Sequence, residues 1–386
     1  AGPPSGVGAG AGAGHGERAA GLSEFKQLSL LGEGAYSAVY KVQRLADGET
    51  YALKKVKLPS LSDKEKQNAL NEIRLLASVR HENVISYKEA FFDDKTRCLC
   101  IVTECADGGD LLQQVQKCQK ERRNIPEADF WRYYIGMCKG LQALHQMKVL
   151  HRDMKCANIF LSTSPGGLIA KLGDFNVSTV AKRGLCMTQT GTPYYASPEV
   201  WRDMPYDGKS DIWSLGCVLY EACALRPPFQ AKDMEGLYRR VLRGAYPRIP
   251  AVYTQELSDV IAGMLQVNPR HRPSADELLE LPVVARKARE LRLLQHSEGT
   301  SDLLQTIKVP RNVIDLSPYL PLPQYDSPKR RAPSEASVAS LLPLGPLRAA
   351  ACADQDDVLT PLKAVFHSPP KPSRRERGEP RSELRE

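Results

Sequence analysis

The sequence lacks the features that mark membrane, secreted and repeat proteins. No apolar run approaches the roughly 18–20 residues that a membrane-spanning helix needs. The first residues, AGPPSGVGAGAGAGHG, have neither a basic region nor an apolar core, which excludes a signal peptide there. No internal repeat is visible. Because the chain does not begin with Met, we expect a fragment or a processed product.

A disulfide framework is also missing. The ten cysteines form no CxxC pair and no regular spacing, and most lie inside apolar runs, as Cys98, Cys100, Cys217 and Cys223 do. Such positions are typical of reduced thiols in a protein core. We therefore expect a soluble protein of a reducing, cytoplasmic compartment.

Charge and composition exclude further classes. Hydrophobic residues make up 42% and charged residues 25% of the chain, as in ordinary globular proteins, which excludes a wholly disordered or collagen-like chain. The net charge of +8 is spread along the sequence. A nucleic-acid-binding protein usually concentrates such charge on one face, so we expect no specific nucleic-acid partner.

Composition divides the chain into four parts. Residues 1–24 are rich in Gly and Ala and are predicted to be disordered. Residues 25–283 alternate strand-like and helix-like stretches and are predicted to fold. Residues 284–300 contain the basic amphipathic stretch ARKARELRLLQ, a predicted helical extension. Residues 301–386 hold 13 of the 28 prolines and are predicted to be a disordered tail.

Within residues 25–283 the beginning is rich in strands and the rest is mostly helical. FKQLSLLGEG, SAVYKVQRL, YALKKVKL and CLCIVT are predicted strands, the first three separated by Gly-containing turns. A helix is predicted from near Ser62, where Ser62 and Glu65 fit a capping box, through KQNALNEIRLLASV. The predicted fold class is α+β, with a small β-rich lobe and one main helix over about 25–104 and a larger helical lobe over about 105–283.

The stretch Gly32, Glu33, Gly34, Ala35 lies between the first two predicted strands. Glycines let a backbone turn approach phosphates closely and offer them N–H groups. Alone this signal is weak, because a generic tight hairpin has the same pattern. It is not a dinucleotide-binding fingerprint, since Ser37 replaces the third glycine and a strand follows.

Lys54 and Glu72 are a candidate pair of opposite charge. Lys54 lies on the strand after the glycine loop, and Glu72 lies on the predicted helix beyond it. A buried lysine near phosphates needs a carboxylate partner to stay oriented, and Glu72 can supply one. Two solvated surface charges remain the alternative.

The strongest signal is the run HRDMKCAN at 151–158, followed by DFN from Asp174. Asp153 can orient an attacking hydroxyl and accept its proton, and Lys155 can neutralise charge on a transferring phosphoryl group. Asn158 and Asp174 are hard oxygen ligands of the kind that Mg²⁺ prefers. In this order and spacing, the groups predict a phosphoryl-transfer site with Mg²⁺.

Further motifs make residues 25–283 resemble the eukaryotic protein kinase family; they are GTPYY (191–195), SPE (197–199), DIWSLG (211–216) and NPRHRP (268–273). The resemblance implies the bilobal protein-kinase fold, protein substrates, and a pair between Glu199 and Arg272. Lys155 and Thr192, the latter in the substrate-docking segment, favour Ser/Thr over Tyr as the acceptor.

The resemblance also implies how ATP is held. Lys54 holds the α- and β-phosphates with Glu72 behind it, and Thr103 takes the gatekeeper position. The adenine lies between apolar side chains and bonds to the backbone of the segment that joins the lobes. The residues implied to contact ATP are Gly32, Glu33, Gly34, Ala35, Val39, Ala52, Lys54, Glu104, Ala106 and Phe160.

Within the family, GTPYYASPEV, SDIWSLGCVLYE and HRDMKCANIFL are similar to NIMA-related kinases. LLQTIKVPRN at 303–312 is similar to a segment that follows the kinase domain in plant and algal members. This resemblance implies roles in mitotic progression, microtubules and cilia or flagella, with partners at the centrosome or basal body. It implies the cytoplasm, cytoskeleton, cilium or nucleus as locations.

Asn176 departs from the family, which has the glycine of DFG there. That glycine gives the backbone freedom to reorient Phe175 and Asp174, and Asn is among the few other residues that tolerate positive φ. Neutral variation and altered gating both remain open. The second would make the chain a pseudokinase scaffold. A small-molecule kinase is a further rival, but it has no reason to carry GTPYY.

The segment between Asp174 and Glu199 holds two candidate regulatory threonines. A phosphate orders such a segment by pairing with arginine, and Arg152 is the expected partner. Thr188 matches the activating position of NIMA-related kinases and Thr190 is the second choice, although either can be an ordinary loop residue. The phosphate would come from an upstream kinase or from autophosphorylation in trans.

The tail and two carboxylates complete the candidates. Asp110 and Glu221 are candidate contacts for basic residues upstream of the target, without being diagnostic. Basic clusters at 329–331 and 374–377 are candidates for binding acidic partners such as tubulin tails, or for nuclear import, with a solvated tail as the alternative. The Ser/Thr-Pro sites of the tail are Ser317, Ser327, Thr360 and Ser368.

Overall fold

The computed structural model describes residues 21–34, 37–57, 63–174, 193–293 and 320–326. A short 3₁₀ turn, Leu22–Glu24, precedes the first strand, so the predicted disorder of residues 1–24 is wrong for these three residues, of which Leu22 packs on the N-lobe. The predicted α+β arrangement is confirmed, with a β-rich N-lobe followed by a larger helical C-lobe.

The N-lobe is built on a five-stranded antiparallel sheet. The strands are β1 (Phe25–Glu33), β2 (Ser37–Arg44), β3 (Thr50–Lys57), β4 (Tyr87–Asp93) and β5 (Cys98–Glu104). They lie side by side in the order β1-β2-β3-β5-β4. Between β2 and β3 the chain turns at Gly48, whose φ of +72° suits glycine. The predicted strands correspond to four of these five, and β4 was not predicted.

One long helix, α1 (Asp63–Ser78), packs against this sheet, as predicted. Its apolar residues recur at spacings of three and four, so one face of the helix is apolar. Leu70, Ile73 and Ala77 on that face are buried against Tyr87 of β4 and Leu99 of β5. Ser62, the predicted cap, lies outside the described residues.

The C-lobe is built around two long helices, α3 (Glu127–Gln146) and α5 (Gly208–Ala224). Every residue of α5 from 210 to 223 is buried, and the ring of Trp213 stacks on Phe229 at 5.3 Å. Seven of the eight described cysteines are buried and none forms a disulfide. The helices are α2 (Leu111–Glu121), α3 (Glu127–Gln146), α4 (Pro198–Trp201), α5 (Gly208–Ala224), α6 (Met234–Arg243), α7 (Gln255–Met264), α8 (Ala275–Glu280) and α9 (Pro282–Glu290).

A two-stranded antiparallel hairpin lies between the lobes, next to the candidate site. Its strands are β6 (Ile159–Ser164) and β7 (Gly167–Leu172). Leu172 at the end of β7 bridges to Val84 ahead of β4, so the hairpin is tied to the N-lobe chain. Hydrophobic residues of both strands are buried in the C-lobe core, among them Leu161 and Ala170. The hairpin therefore fixes the segments on either side of it, which carry the predicted catalytic residues.

The end of the chain differs from the prediction in two places. The predicted helical extension over 284–300 is only partly present, because α9 runs over Pro282–Glu290 and residues 291–293 are not helical; residues 294–300 lie outside the described part. The predicted disorder of the tail is wrong for residues 320–326, which pack on the N-lobe; there the Tyr87 hydroxyl donates to the Pro321 carbonyl at 3.0 Å. Composition indicated disorder because it does not reveal such distant partners. Among the described helices, none is long and apolar enough to cross a membrane.

Candidate active site

A cavity of about 300 Å³ opens between the N-lobe sheet and the β6–β7 hairpin. Val39 of β2 and Ala52 of β3 line it on the N-lobe side, and Phe160 of β6 lines it on the other. A side chain at Gly173 would place its Cβ 2.6 Å from the Phe160 ring, so glycine there lets the ring take this position. The walls thus suit a flat apolar ring.

Seven of the ten predicted ATP contacts line this cavity: Gly32, Val39, Ala52, Lys54, Glu104, Ala106 and Phe160. The Glu104 carboxylate accepts hydrogen bonds from the Lys171 ammonium at 3.0 Å and the Ser86 N–H at 2.8 Å. The gatekeeper candidate Thr103 also lines the cavity. Sequence reasoning missed several apolar lining residues that have no motif of their own: Leu31, Ile73, Leu76, Ile85 and Ile101.

The glycine loop is only partly at this cavity. Glu33 and Gly34 line a separate depression, together with Lys55 and Lys57. The loop is closed by a hydrogen bond from the Gly34 N–H to the Ser37 carbonyl at 2.7 Å. Ala35 lies outside the described residues, so its predicted contact stays a prediction.

Lys54 and Asp174 meet at the edge of the cavity, with the Lys54 Nζ 3.0 Å from the Asp174 Oδ1. The charge of Lys54 lowers the pKa of Asp174 below its usual range. Asp174 has a φ of +52°, in the left-handed region that is costly for a non-glycine residue. Glu72 lies on α1 as predicted, but its side chain is outside the described part, so its pair with Lys54 stays a prediction.

Asp153, Lys155 and Asn158 form a tight cluster. The Asp153 Oδ2 accepts hydrogen bonds from the Lys155 Nζ at 2.8 Å and the Asn158 Nδ2 at 2.9 Å. The Asn158 amide also donates to the Asp153 carbonyl at 2.8 Å. A single 3₁₀ turn, Cys156–Asn158, returns the chain so that residues five apart make these bonds. The carboxylate is thereby oriented beside a positive charge.

A buried carboxylate on α5, Asp211, holds the backbone of this loop. It accepts the N–H of His151 at 3.0 Å and the N–H of Arg152 at 3.0 Å, and Arg152 has a φ of +66°. Burial alone would raise the pKa of Asp211, but hydrogen bonds from His145 and Tyr206 help to lower it below the usual range. Sequence reasoning used DIWSLG only as a family motif and missed this role.

The donor atoms near Asp174 fit a magnesium ion. Because the Asn158 Nδ2 is committed to Asp153, its Oδ1 is the atom left to act as a ligand. The Asp174 carboxylate is half-exposed and has a lowered pKa, so it is ionised at neutral pH. Mg²⁺ is typically held by one or two such oxygens together with water and substrate phosphates. These two residues suit that arrangement.

The two candidate substrate carboxylates differ in position. Asp110 caps α2 by accepting the Gln113 N–H at 2.8 Å, and it lines the cavity. Glu221 is buried, and its carboxylate accepts hydrogen bonds from the Tyr195 hydroxyl and the Cys156 thiol. Glu221 therefore has an internal role instead of a position on the surface.

The pair implied between Glu199 and Arg272 is present. The two side chains form a bidentate ion pair, with N–O distances of 2.6 and 2.7 Å, and both are buried. Burial alone would raise the pKa of Glu199, but Arg272 lowers it below the usual range. Of the regulatory and docking candidates, Arg152 is described, while Thr188, Thr190 and Thr192 lie outside the described residues.

Comparison with known proteins adds family information to this geometry. A family model of the protein kinase domain matches residues 25–284. The "Serine/threonine-protein kinase Nek2" of Homo sapiens is 36% identical over 305 residues, covering 74% of this chain and 68% of its own length. The "Probable serine/threonine-protein kinase nek2" of Dictyostelium discoideum is 34% identical over 291 residues, covering 74% and 69%.

Other relatives are longer than this chain. The "Serine/threonine-protein kinase Nek3" of Mus musculus is 35% identical over 327 residues, covering 83% of this chain and 60% of its own length. The chain spans only 24% of the "Probable serine/threonine-protein kinase nek3" of Dictyostelium discoideum, to which it is 37% identical. The similarity thus covers the kinase region and not all of each relative.

Proposed function

Because the chain belongs to the protein kinase family, and within it to the NIMA-related serine/threonine kinases, we propose that it transfers the γ-phosphoryl group of Mg-ATP to serine or threonine hydroxyls of proteins. The observation that carries this proposal is the proximity of two charged clusters: the first lies at the cavity, and the Gly173 N–H, next to Asp174, donates to the Asn158 carbonyl of the second at 3.1 Å. One cluster is Lys54 with Asp174, and the other is Asp153 with Lys155 and Asn158. Phosphoryl transfer needs both, since it depends mainly on positioning and charge stabilisation.

Asp153 acts on the acceptor hydroxyl. The hydroxyl oxygen forms a bond to the γ-phosphorus while the bond from that phosphorus to the bridging oxygen breaks, releasing ADP. The hydroxyl proton passes to the Asp153 carboxylate. Lys155, 2.8 Å from this carboxylate, steadies the charge on the transferring group, and Asn158 keeps the carboxylate oriented.

The nucleotide is held by the cavity and Lys54. The adenine ring lies between the apolar side chains of Val39, Ala52 and Phe160, and backbone groups at Glu104 and Ala106 bond its edge. Lys54 contacts the α- and β-phosphates, with Glu72 behind it. Mg²⁺, held by Asn158 and Asp174, would neutralise phosphate charge.

Regulation and cellular role rest on the family resemblance. We infer that Thr188, or otherwise Thr190, is phosphorylated and pairs with Arg152. Thr192 and Lys155 support serine or threonine as the acceptor. Roles in the cell cycle, microtubules or cilia, with centrosomal or basal-body partners bound through the tail, are proposed on the same resemblance.

A pseudokinase scaffold is the second candidate, and Asn176 is the feature that favours it. The test measures transfer of labelled phosphate from Mg-ATP to a generic protein by the parent chain and by Asn176→Gly, with identification of the labelled amino acid. Label on Ser or Thr from the parent chain is expected. Transfer by Asn176→Gly but not by the parent chain would show a kinase whose activity Asn176 suppresses. No transfer by either chain, even after Thr188→Glu is introduced into both, would contradict the proposal.

A further inference from the structure

The segment 320–326, Leu-Pro-Leu-Pro-Gln-Tyr-Asp, lies along the N-lobe and is called the strap below. Pro321 is buried, and Leu320 packs against the hydrophobic cluster that α1 forms with β4 and β5. Leu322 points away, with 74% of its surface exposed. The strap therefore has an inner and an outer side, as a bound peptide does.

Two hydrogen bonds to the main chain of the strap attach it to β4. The Gln324 N–H donates to the Lys88 carbonyl at 2.6 Å, and the Tyr87 hydroxyl donates to the Pro321 carbonyl at 3.0 Å. Two prolines in the segment limit its backbone freedom before it binds, which lowers the entropy lost on docking. An extended peptide beside a sheet strand is a recurring mode of peptide recognition.

The Gln324 side chain reaches the end of α1. Its Nε2 donates to the Ala77 carbonyl at 3.0 Å, and its Oε1 accepts a hydrogen bond from the Arg80 guanidinium at 3.2 Å. The last four carbonyls of a helix have no partner within the helix, and the carbonyl of Ala77 is one of them. Gln324 thus caps α1 from a position far along the chain.

Tyr325 completes a buried polar site on the N-lobe. Its hydroxyl donates at 2.7 Å to the carboxylate of Glu89, which is only 3% exposed. Its ring lies 3.6 Å from the Arg44 guanidinium and meets Tyr51 edge to face at 5.4 Å. A buried carboxylate without a hydrogen-bond donor is unfavourable. Tyr325 therefore supplies a hydrogen-bond donor to the buried Glu89 carboxylate of the N-lobe.

We propose that this N-lobe surface is a peptide-docking site whose ligand is the strap of the same chain, and that docking activates phosphoryl transfer by fixing α1. The link to the active site is direct, because Ile73 and Leu76 of α1 line the nucleotide cavity and α1 also carries Glu72. The activating effect rests on the proposed kinase function, whereas docking itself does not. A tethered ligand binds at a high effective concentration, so the site is occupied in cis.

The test compares Gln324→Ala with Leu322→Ala in the full chain. Hydrogen exchange of the amides at 74–80 reports on the end of α1, and kcat/KM reports on transfer. Loss of hydrogen bonds of ordinary strength predicts roughly threefold to tenfold faster exchange in Gln324→Ala and a fall in kcat/KM by a similar factor. Leu322→Ala is expected to match the parent chain, since Leu322 is exposed.

A second experiment supplies the strap in trans. A synthetic peptide of residues 317–328, added in excess to the Gln324→Ala/Tyr325→Ala chain, is expected to slow the exchange of α1 and restore kcat/KM. The same peptide carrying Gln324→Ala is the matched control, and equal effects of both peptides would overturn the docking site.

The outcomes separate this inference from the proposed function. Exchange and kcat/KM in Gln324→Ala that equal those of Leu322→Ala, or a rise in kcat/KM, would overturn the activating role. If the parent chain transferred no phosphate, the proposed function would fail, while faster exchange of α1 in Gln324→Ala would still support docking.

Discussion

The two lobes satisfy their buried carboxylates in different ways. In the C-lobe, Asp211 accepts hydrogen bonds from His145 and from the backbone of the loop that carries Asp153. Glu199 forms an ion pair with Arg272. In the N-lobe, Glu89 receives a hydrogen bond from Tyr325, more than 230 positions later in the chain. These two carboxylates of the C-lobe thus have partners within that lobe, whereas Glu89 of the N-lobe has a partner in the strap.

This difference assigns different tasks to the lobes. The loop with Asp153 is held by Asp211, which belongs to the most buried helix of the C-lobe. Lys54 and α1 belong to the N-lobe, whose helix end depends on Gln324. We therefore expect catalytic groups to stay fixed on the C-lobe and the position of α1 to be adjustable.

The largest expected effect on stability comes from breaking the ion pair inside the C-lobe. Arg272→Met leaves Glu199 buried without its partner, which costs about 3–5 kcal/mol in the free energy of unfolding. Urea unfolding measures this loss. The control is Arg286→Met, which removes the exposed pair with Glu256 and is expected to leave the midpoint unchanged. Equal urea midpoints for Arg272→Met and Arg286→Met would contradict a stabilising role of the buried ion pair in the C-lobe.

A smaller effect is expected in the dependence of stability on pH. Because the pKa of Glu199 is lowered in the folded chain, the pair with Arg272 contributes stability above the usual value of 4.5 and loses it as the pH falls through the lowered pKa. The free energy of unfolding of Glu199→Gln is therefore expected to vary less with pH in that acidic range than that of the parent chain. Glu256→Gln, at an exposed pair, is the control and should follow the parent.

The smallest effect is expected at the exposed end of the strap. Lys88 Nζ lies 2.9 Å from Asp326, whose side chain is 92% exposed, so solvent screens the pair. Asp326→Asn is expected to change the free energy of unfolding by less than about 1 kcal/mol and to leave the exchange of α1 unchanged. A loss as large as that of Arg272→Met would show that charge, and not Gln324 and Tyr325, holds the strap.

Local signals in the sequence predicted much of the site. Asp153, Lys155 and Asn158 lie within six residues, and the structure brings their side chains into hydrogen-bond contact, while their catalytic roles stay a prediction. The predicted strands and α1 followed from apolar periodicity in the same way. The assignment to the NIMA-related kinases is also confirmed.

Contacts between distant residues were not predictable in this way. The strap was predicted to be disordered because prolines are dense there, although Gln324 and Tyr325 have partners near residues 77–89. Glu221 was a candidate substrate contact because its charge was visible, while its hydrogen bonds to Tyr195 and Cys156 were not. The loop-holding role of Asp211 was missed for the same reason.

Asp153, held on the C-lobe, is the residue proposed to act on the acceptor hydroxyl in phosphoryl transfer. The most direct measurement compares the parent chain with Asp153→Asn for transfer from labelled Mg-ATP, nucleotide affinity and thermal midpoint. We predict a loss of about 10²–10⁴-fold in the transfer rate with unchanged affinity and midpoint, because Asn occupies the same volume but cannot accept the proton. Transfer by Asp153→Asn at the rate of the parent chain would contradict the account.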